Sequence, residues 1–123
     1  MLSLPPSVRV YLCTVPQDLR RSFDGLAMLA EHVVRESPFT GHLFVFRNKH
    51  GEKVKVLYWD RDGFAIWYKR LEKGSFRFPE SATARVEMSA SDLAILLEGI
   101  DLAEVKRPAR YARPSDEKKS GFS

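Results

Sequence analysis

Basic side chains alternate with aromatic rings in the middle of the chain, between Gly41 and Pro79. This segment carries nine Lys or Arg residues against four Asp or Glu residues. Cations of this kind bind phosphate groups, and aromatic rings can stack on nucleobases or pack against a protein partner. The pattern therefore predicts a surface that binds a polyanion. The alternative is a solvated sheet face that carries charge pairs between strands, with the rings in the core.

Five cations are the candidates for contact with DNA phosphates. Four of them lie in the basic-aromatic segment, namely Lys55, Arg61, Lys69 and Arg70. The fifth, Arg20, belongs to a charged corner that it forms with Asp18 at the start of a predicted helix. A solvated first helical turn would also explain that corner.

Paired carboxylates are the other residues that could do chemistry. A metal-dependent nuclease needs at least two carboxylates on one cation, and the candidates are Asp18, Asp24, Asp60 and Asp62. Asp62 is followed by Gly63 between two apolar runs, which is a strong signal of a tight hairpin turn. We therefore interpret Asp60 and Asp62 as turn residues and keep the nuclease as an alternative.

The histidine, cysteine, serine and glycine residues show no spacing typical of a known site. His32, His42 and His50 share no metal-ligand spacing with each other or with Cys13. There is no Gly-x-Ser-x-Gly motif, and isolated glycines cannot form a phosphate-binding loop. The sequence therefore predicts no catalytic residue, no bound metal and no cofactor.

Charge is segregated along the chain, whose formal net charge is +4. Residues 80–105 carry one basic residue against six acidic ones, and residues 106–123 carry six against two. The folded chain could therefore show a basic face, an acidic patch and a basic tail. In an alternative interpretation the acidic segment and exposed aromatic rings dock a protein partner, and DNA contact is incidental.

The N-terminal region and the single cysteine bear on the cellular compartment. Cys13 lies in an apolar run and has no second cysteine to pair with, so we expect a buried thiol in a reducing compartment. The first residues lack a positively charged start and are interrupted by Pro5 and Pro6. We therefore expect a cytoplasmic protein that does not associate with a membrane.

One long helix is predicted from Asp18 to Arg35. Apolar residues recur there at spacings of three and four, at Leu19, Phe23, Leu26, Ala30, Val33 and Val34. The Ser37-Pro38 pair ends the helix, because proline disfavours helical geometry in the residue before it. Gly25 in the interior costs about 1 kcal/mol relative to Ala, which indicates a close backbone contact or a local break there, and we expect it to lie under a strand.

Short alternating runs separated by turn residues predict a β-meander after this helix. Together with a first strand, the predicted strands are 7–14, 42–47, 53–59, 64–71, 76–78 and 84–88. One face of the sheet is expected in the core, and the other is expected to carry the basic groups. The faces are mixed in polarity, so the helix, a terminal segment or a partner should cover part of the outer surface.

A short second helix should follow, capped by Ser89 or Ser91 and stopped by Gly99. Beyond it the chain is basic and lacks apolar periodicity, which predicts disorder. The fold class is therefore α+β: a curved antiparallel sheet of about five strands, packed by one long N-terminal helix, with a short C-terminal helix. Residues 1–104 form a single domain and residues 105–123 a basic, disordered tail.

The chain resembles the TnpB-type (Orf2-like) accessory proteins of the IS66 family of bacterial insertion sequences. The resemblance spans about residues 5–102. Five stretches carry it: the first helix at 18–26, then PFTGHLFVF at 38–46, KVLYWD at 55–60, KRLEKG at 69–74 and LLEG at 96–99.

The resemblance implies a non-enzymatic accessory factor for DNA transposition. A separate, co-encoded transposase would carry the strand-transfer carboxylates, so this chain would not be the nuclease. The expected partners are that transposase and the DNA ends of the insertion sequence. The resemblance assigns no binding residues.

Overall fold

The computed structural model describes residues 7–99, which form one five-stranded sheet with a helix on each face. In chain order the elements are β1 (Val10–Cys13), α1 (Phe23–Leu29, continued as a π-helix over Ala30–Val34), β2 (Leu43–Arg47), β3 (Lys53–Asp60), β4 (Gly63–Arg70), β5 (Arg85–Met88) and α2 (Ala90–Leu97). The α+β class and the five strands are confirmed.

The sheet is mixed, and the prediction of an antiparallel sheet is wrong at one pair of strands. Its strand order is β4-β3-β2-β1-β5, and β1 pairs with β2 in parallel, with Val10 opposite Leu43. All other pairs are antiparallel. The physical reason is α1, since a helical crossover between neighbouring strands brings the chain back in the same direction.

Both faces of the sheet carry an apolar core, so the expectation of one buried and one basic face is also wrong. The first core lies on the α1 face and contains Tyr11, Cys13, Leu19, Leu26, Leu29, Ala30, Val34, Phe44, Phe46 and Leu57. The second lies on the α2 face and contains Val10, Leu12, Leu43, Val45, Val54, Val56, Phe76, Leu93, Leu96 and Leu97. This explains why the strands show no clean alternation of polar and apolar residues.

The first helix is shorter than predicted, with seven α-helical and five π-helical residues. Residues 18–21 form a turn instead, because the Asp18 carboxylate accepts the backbone N–H of Arg20 and the Asp18 carbonyl accepts that of Arg21. Such local hydrogen bonds compete with helix formation. At the other end Arg35 adopts left-handed backbone geometry, with φ of 68°, and ends the helix.

The three atoms nearest to a Cβ built on Gly25 belong to Arg21, and none of them belongs to a strand. A Cβ atom at this position would meet the Cβ and Cγ atoms of Arg21 at 3.1 and 3.3 Å. Its nearest neighbour is therefore an exposed side chain of the preceding turn.

The predicted strand at 76–78 is absent. Because β4 and β5 lie at opposite edges of the sheet, the chain between them must cross a face. Phe76 is buried in the α2-face core on this crossing, and its N–H donates to the carbonyl of Gly51 at 2.7 Å. The crossing leaves the outer edge of β4 without a strand among the described residues.

Several local predictions are confirmed. Asp60 pairs with Gly63 around a two-residue turn, in which Arg61 has a φ of 60°. Ser89 caps α2 by accepting the N–H of Asp92. Cys13 is buried and unpaired, and burial raises the pKa of its thiol. Neither described helix has the length and apolar character needed to cross a membrane. The predicted disordered tail at 105–123 and the end of the predicted domain lie outside the described residues.

Candidate nucleic-acid interface

An open groove with basic walls lies on the α1 face of the sheet, near the start of β3. We call it the basic groove, and its volume is about 330 Å³. It is lined by residues 17–20, residues 48–50, Lys53 and Tyr68. The two segments come together because the N–H of Gln17 donates to the carbonyl of Arg47 at 2.9 Å. Leu19 anchors the first segment in the α1-face core.

The first wall is the turn that contains Asp18 and Arg20. The Arg20 guanidinium holds the Asp18 carboxylate through contacts of 2.7–3.1 Å, although 91% of the Arg20 side chain is exposed. These hydrogen bonds lower the pKa of Asp18 well below its ordinary range. The positive charge of Arg20 is therefore largely balanced by its own neighbour.

The second wall is the β2–β3 turn, which Asn48 organises. Its side-chain oxygen accepts the N–H groups of Gly51 and Lys53 at 3.0 and 3.1 Å, and its amide nitrogen donates to Glu52 at 2.8 Å. The last bond lowers the pKa of Glu52. Because the turn is closed by these contacts, Lys49 and His50 are exposed at its tip.

The floor of the groove continues onto β3 and β4. Tyr68 lies opposite Lys55 in the sheet, and the Lys55 ammonium lies 5.0 Å from the centre of the Tyr68 ring. The same ammonium donates to the carbonyl of Arg21 at 2.9 Å. The Lys55 ammonium covers part of the Tyr68 ring, and about half of Tyr68 is exposed to solvent.

The five predicted DNA contacts do not form one cluster. Arg20 lines the groove, and Lys55 and Arg70 lie on the same face of the sheet. Lys69 lies on the opposite face, where its ammonium donates to the carbonyl of Leu97 in α2. Arg61 lies in the β3–β4 turn, at the far end of an eight-residue strand, which is roughly 23 Å away at about 3.3 Å per residue.

Two cations of the groove, Lys49 and Lys53, are not among the five predicted DNA contacts. Both belong to the basic-aromatic segment, but the sequence alone shows no reason to prefer them. The reason is tertiary, since the segment that begins at Gln17 lies beside their turn.

A cluster of aromatic rings lies near the opposite end of the β3–β4 hairpin. The Trp59 and Phe64 rings meet edge to face at 5.0 Å, and Phe39 lies 5.3–5.4 Å from both. Phe39 is 58% exposed, so the cluster forms part of the surface. We call these three residues the aromatic cluster.

The candidate carboxylates of a nuclease do not all come together. Asp18 lies in the groove beside the start of β3, and Asp60 and Asp62 lie at its other end, in the hairpin turn. Within residues 7–99 no group of three or more His, Cys, Asp or Glu side chains could hold a metal ion. This geometry does not support a cation shared by Asp18 with Asp60 or Asp62.

Comparison with known proteins shows which family the chain belongs to. The family model described as IS66 Orf2 like protein matches residues 8–107. Uncharacterized protein y4jC of Sinorhizobium fredii is 34% identical over 107 residues, which are 87% of this chain and 92% of the relative. Uncharacterized protein y4hO of the same organism is 37% identical over 115 residues, 94% and 97% of the two chains. No solved structure matches. The chain therefore belongs to the IS66 Orf2-like family, as its resemblance predicted.

Proposed function

We propose that this protein is a non-enzymatic, cytoplasmic accessory factor for transposition that binds DNA through the basic groove. Membership of the IS66 Orf2-like family indicates the accessory role in transposition. One observation carries the DNA contact: two segments far apart in sequence place Arg20, Lys49 and Lys53 around one groove beside an exposed tyrosine.

The cations of the groove differ in how free they are to bind phosphate. Lys49 and Lys53 make no ion pair within residues 7–99, whereas Arg20 is paired with Asp18. Lys55 also makes no ion pair within residues 7–99, and it donates to the neutral carbonyl of Arg21. Lys49, Lys53 and Lys55 therefore supply most of the attraction for a phosphate chain, and Arg20 contributes less.

Tyr68 suits an unpaired base better than a closed duplex. Its ring lies on the floor of the groove, and one face is covered by the Lys55 ammonium. A base can stack on the remaining face, as in other proteins that bind single strands, while the lysines contact the backbone.

A salt titration tests the DNA contact. Fluorescence anisotropy with labelled single-stranded and duplex ends should show affinity that falls with salt, with a log-log slope of about −2 to −3 for three phosphate contacts. The single strand should bind more tightly, and Tyr68→Ala should remove most of that preference. Binding that is absent, or that does not depend on salt, would overturn the proposal.

The aromatic cluster favours a second function, a docking surface for the co-encoded transposase. Exposed aromatic rings are enriched where proteins bind each other, and Phe39 in this cluster is more than half exposed. Pull-down of the transposase after nuclease treatment separates the two functions. Retention that Phe39→Ser abolishes would support direct docking, and loss of the transposase with the DNA would exclude it.

A further inference from the structure

β4 is a long strand at the edge of the sheet, and no strand pairs with its outer side in the part of the chain that the structure describes. β4 has eight residues and ends the sheet on that side. Its side chains include Phe64, Ile66 and Trp67, and none of its residues is fully buried. Such an edge presents a row of backbone donors and acceptors that can pair with another strand.

The other edge of the sheet is protected against such pairing. β5 has only four residues and carries Arg85 and Glu87, which form ion pairs with Glu36 and Arg9. Short, charged edge strands are a common means of preventing contact between sheets. β4 lacks these features over most of its length, so the two edges differ in kind.

The direction of the β4 backbone groups follows from its pairing with β3. The N–H of Leu71 donates to the carbonyl of Glu52, which makes these opposite residues a hydrogen-bonded pair. Hydrogen-bonded pairs alternate with non-hydrogen-bonded pairs along an antiparallel ladder. The backbone N–H and C=O groups of Trp67 and Ala65 therefore also point toward β3. The remaining residues point their N–H and C=O groups outward: Phe64, Ile66, Tyr68 and Arg70.

We propose that β4 pairs in antiparallel fashion with β4 of a second copy of this chain, about a two-fold axis at Ile66. The outward-pointing residues then face each other, as a hydrogen-bonded ladder requires. Ile66 lies opposite Ile66 of the second copy, and Phe64 opposite its Tyr68. The interface is the same on both copies, as expected for a two-fold dimer.

Charge favours antiparallel pairing of the two copies. Arg70 ends β4, and Asp62 precedes it in the β3–β4 turn, so each copy brings its acidic end beside the basic end of the other. The Ile66 register also places two aromatic pairs on the α1 face, because Phe64 and Tyr68 share that face in each copy.

Disulfide trapping tests the register directly. In a hydrogen-bonded pair the Cα atoms are about 5.5 Å apart, within the range of a disulfide, so Ile66→Cys should form a covalent dimer under mild oxidation. Tyr68→Cys is the matched control, since its two copies would lie roughly 13 Å apart, four residues along the strand. Cys13 is buried, so the wild-type chain should not cross-link.

A charge swap tests the same interface without an introduced thiol. In sedimentation velocity the wild-type chain should form a dimer, and Asp62→Arg should weaken it about tenfold. The double variant Asp62→Arg with Arg70→Asp should restore dimerisation to within about threefold. Glu72→Gln is the control, because it removes only the 3.4 Å contact of Arg70 within its own chain.

Each outcome decides the proposal. A dimer that cross-links at residue 66 and recovers in the double variant supports it. Three outcomes overturn it: a monomer at all concentrations up to about 0.5 mM, a dimer that cross-links at residue 68 instead, or a dimer whose affinity the charge swap does not change. None of these measurements contains DNA, so they test the dimer separately from DNA binding, although both proposals use Tyr68.

Discussion

The ammonium group of Lys69 lies 3.0 Å from the carbonyl oxygen of Leu97, and this contact joins β4 to the last turn of α2. Carbonyl groups at the end of a helix lack partners within the helix and carry partial negative charge. Lys69 therefore stabilises the packing of α2 on the sheet. The contact gives Lys69 a structural role, and its phosphate contact stays a prediction.

Lys69→Met should lower stability while leaving DNA affinity unchanged. The substitution keeps the apolar stem but removes a charged hydrogen bond that is partly exposed, so we expect a loss of about 1 kcal/mol in the free energy of unfolding. Urea denaturation followed by tryptophan fluorescence measures this loss. A variant as stable as the wild type, or one that binds DNA markedly less well, would contradict the structural role.

Ser89→Ala should destabilise the protein by about 1 kcal/mol, because it removes the side-chain acceptor for the N–H of Asp92 at the start of α2. Ser91→Ala is the matched control. It also removes a hydroxyl, but Ser91 lies within the helix and its hydroxyl contacts the Ser89 hydroxyl and not the N–H of Asp92. Urea denaturation of both variants decides between them. Equal losses in the two would argue against Ser89 as the cap.

Gly25→Ala should raise the thermal midpoint. Alanine is favoured over glycine in a helix by about 1 kcal/mol, and the three atoms nearest to the added methyl group belong to the exposed Arg21 side chain, whose Cβ at 3.1 Å must shift slightly. Calorimetry measures the shift. A lower midpoint would mean that the close approach of Arg21 to the helix cannot relax.

Asp18→Asn should lower stability at neutral pH but not in acid. The folded state depresses the pKa of Asp18 through its contacts with Arg20, so the stabilisation is complete above about pH 4 and is lost as pH falls further. Urea midpoints of the two proteins should therefore differ at pH 7 and converge toward pH 2. A difference that stays constant over this range would exclude the carboxylate charge as the cause.

Local signals in the sequence were sufficient for most of the elements. The Asp62-Gly63 pair marked the β3–β4 turn, and Ser89 with Gly99 marked the ends of α2, because turn and cap preferences depend on neighbouring residues. The parallel pairing of β1 with β2 and the crossing that buries Phe76 depend on contacts between distant segments. Periodicity carries no information about either.

In the candidate site, too, local signals were readable from the sequence and contacts between distant segments were not. The sequence marked a segment rich in lysine and aromatic residues, but it could not tell which lysines share a face with the segment that contains Asp18 and Arg20. The hydrogen bond from Gln17 to Arg47 decides this by placing that segment beside the β2–β3 turn. Lys53 thereby becomes a groove residue, whereas Lys69 is taken up by α2.

The salt dependence of DNA binding by two single-charge variants tests the basic groove most directly. Lys53→Gln removes a cation from the groove, and Arg61→Asn removes one from the distant hairpin turn, where asparagine tolerates the left-handed backbone. The net charge changes equally in both. Lys53→Gln should weaken binding and reduce the log-log salt slope by about one, and Arg61→Asn should change neither. Equal effects of the two variants, or a larger effect of Arg61→Asn, would contradict binding through the groove.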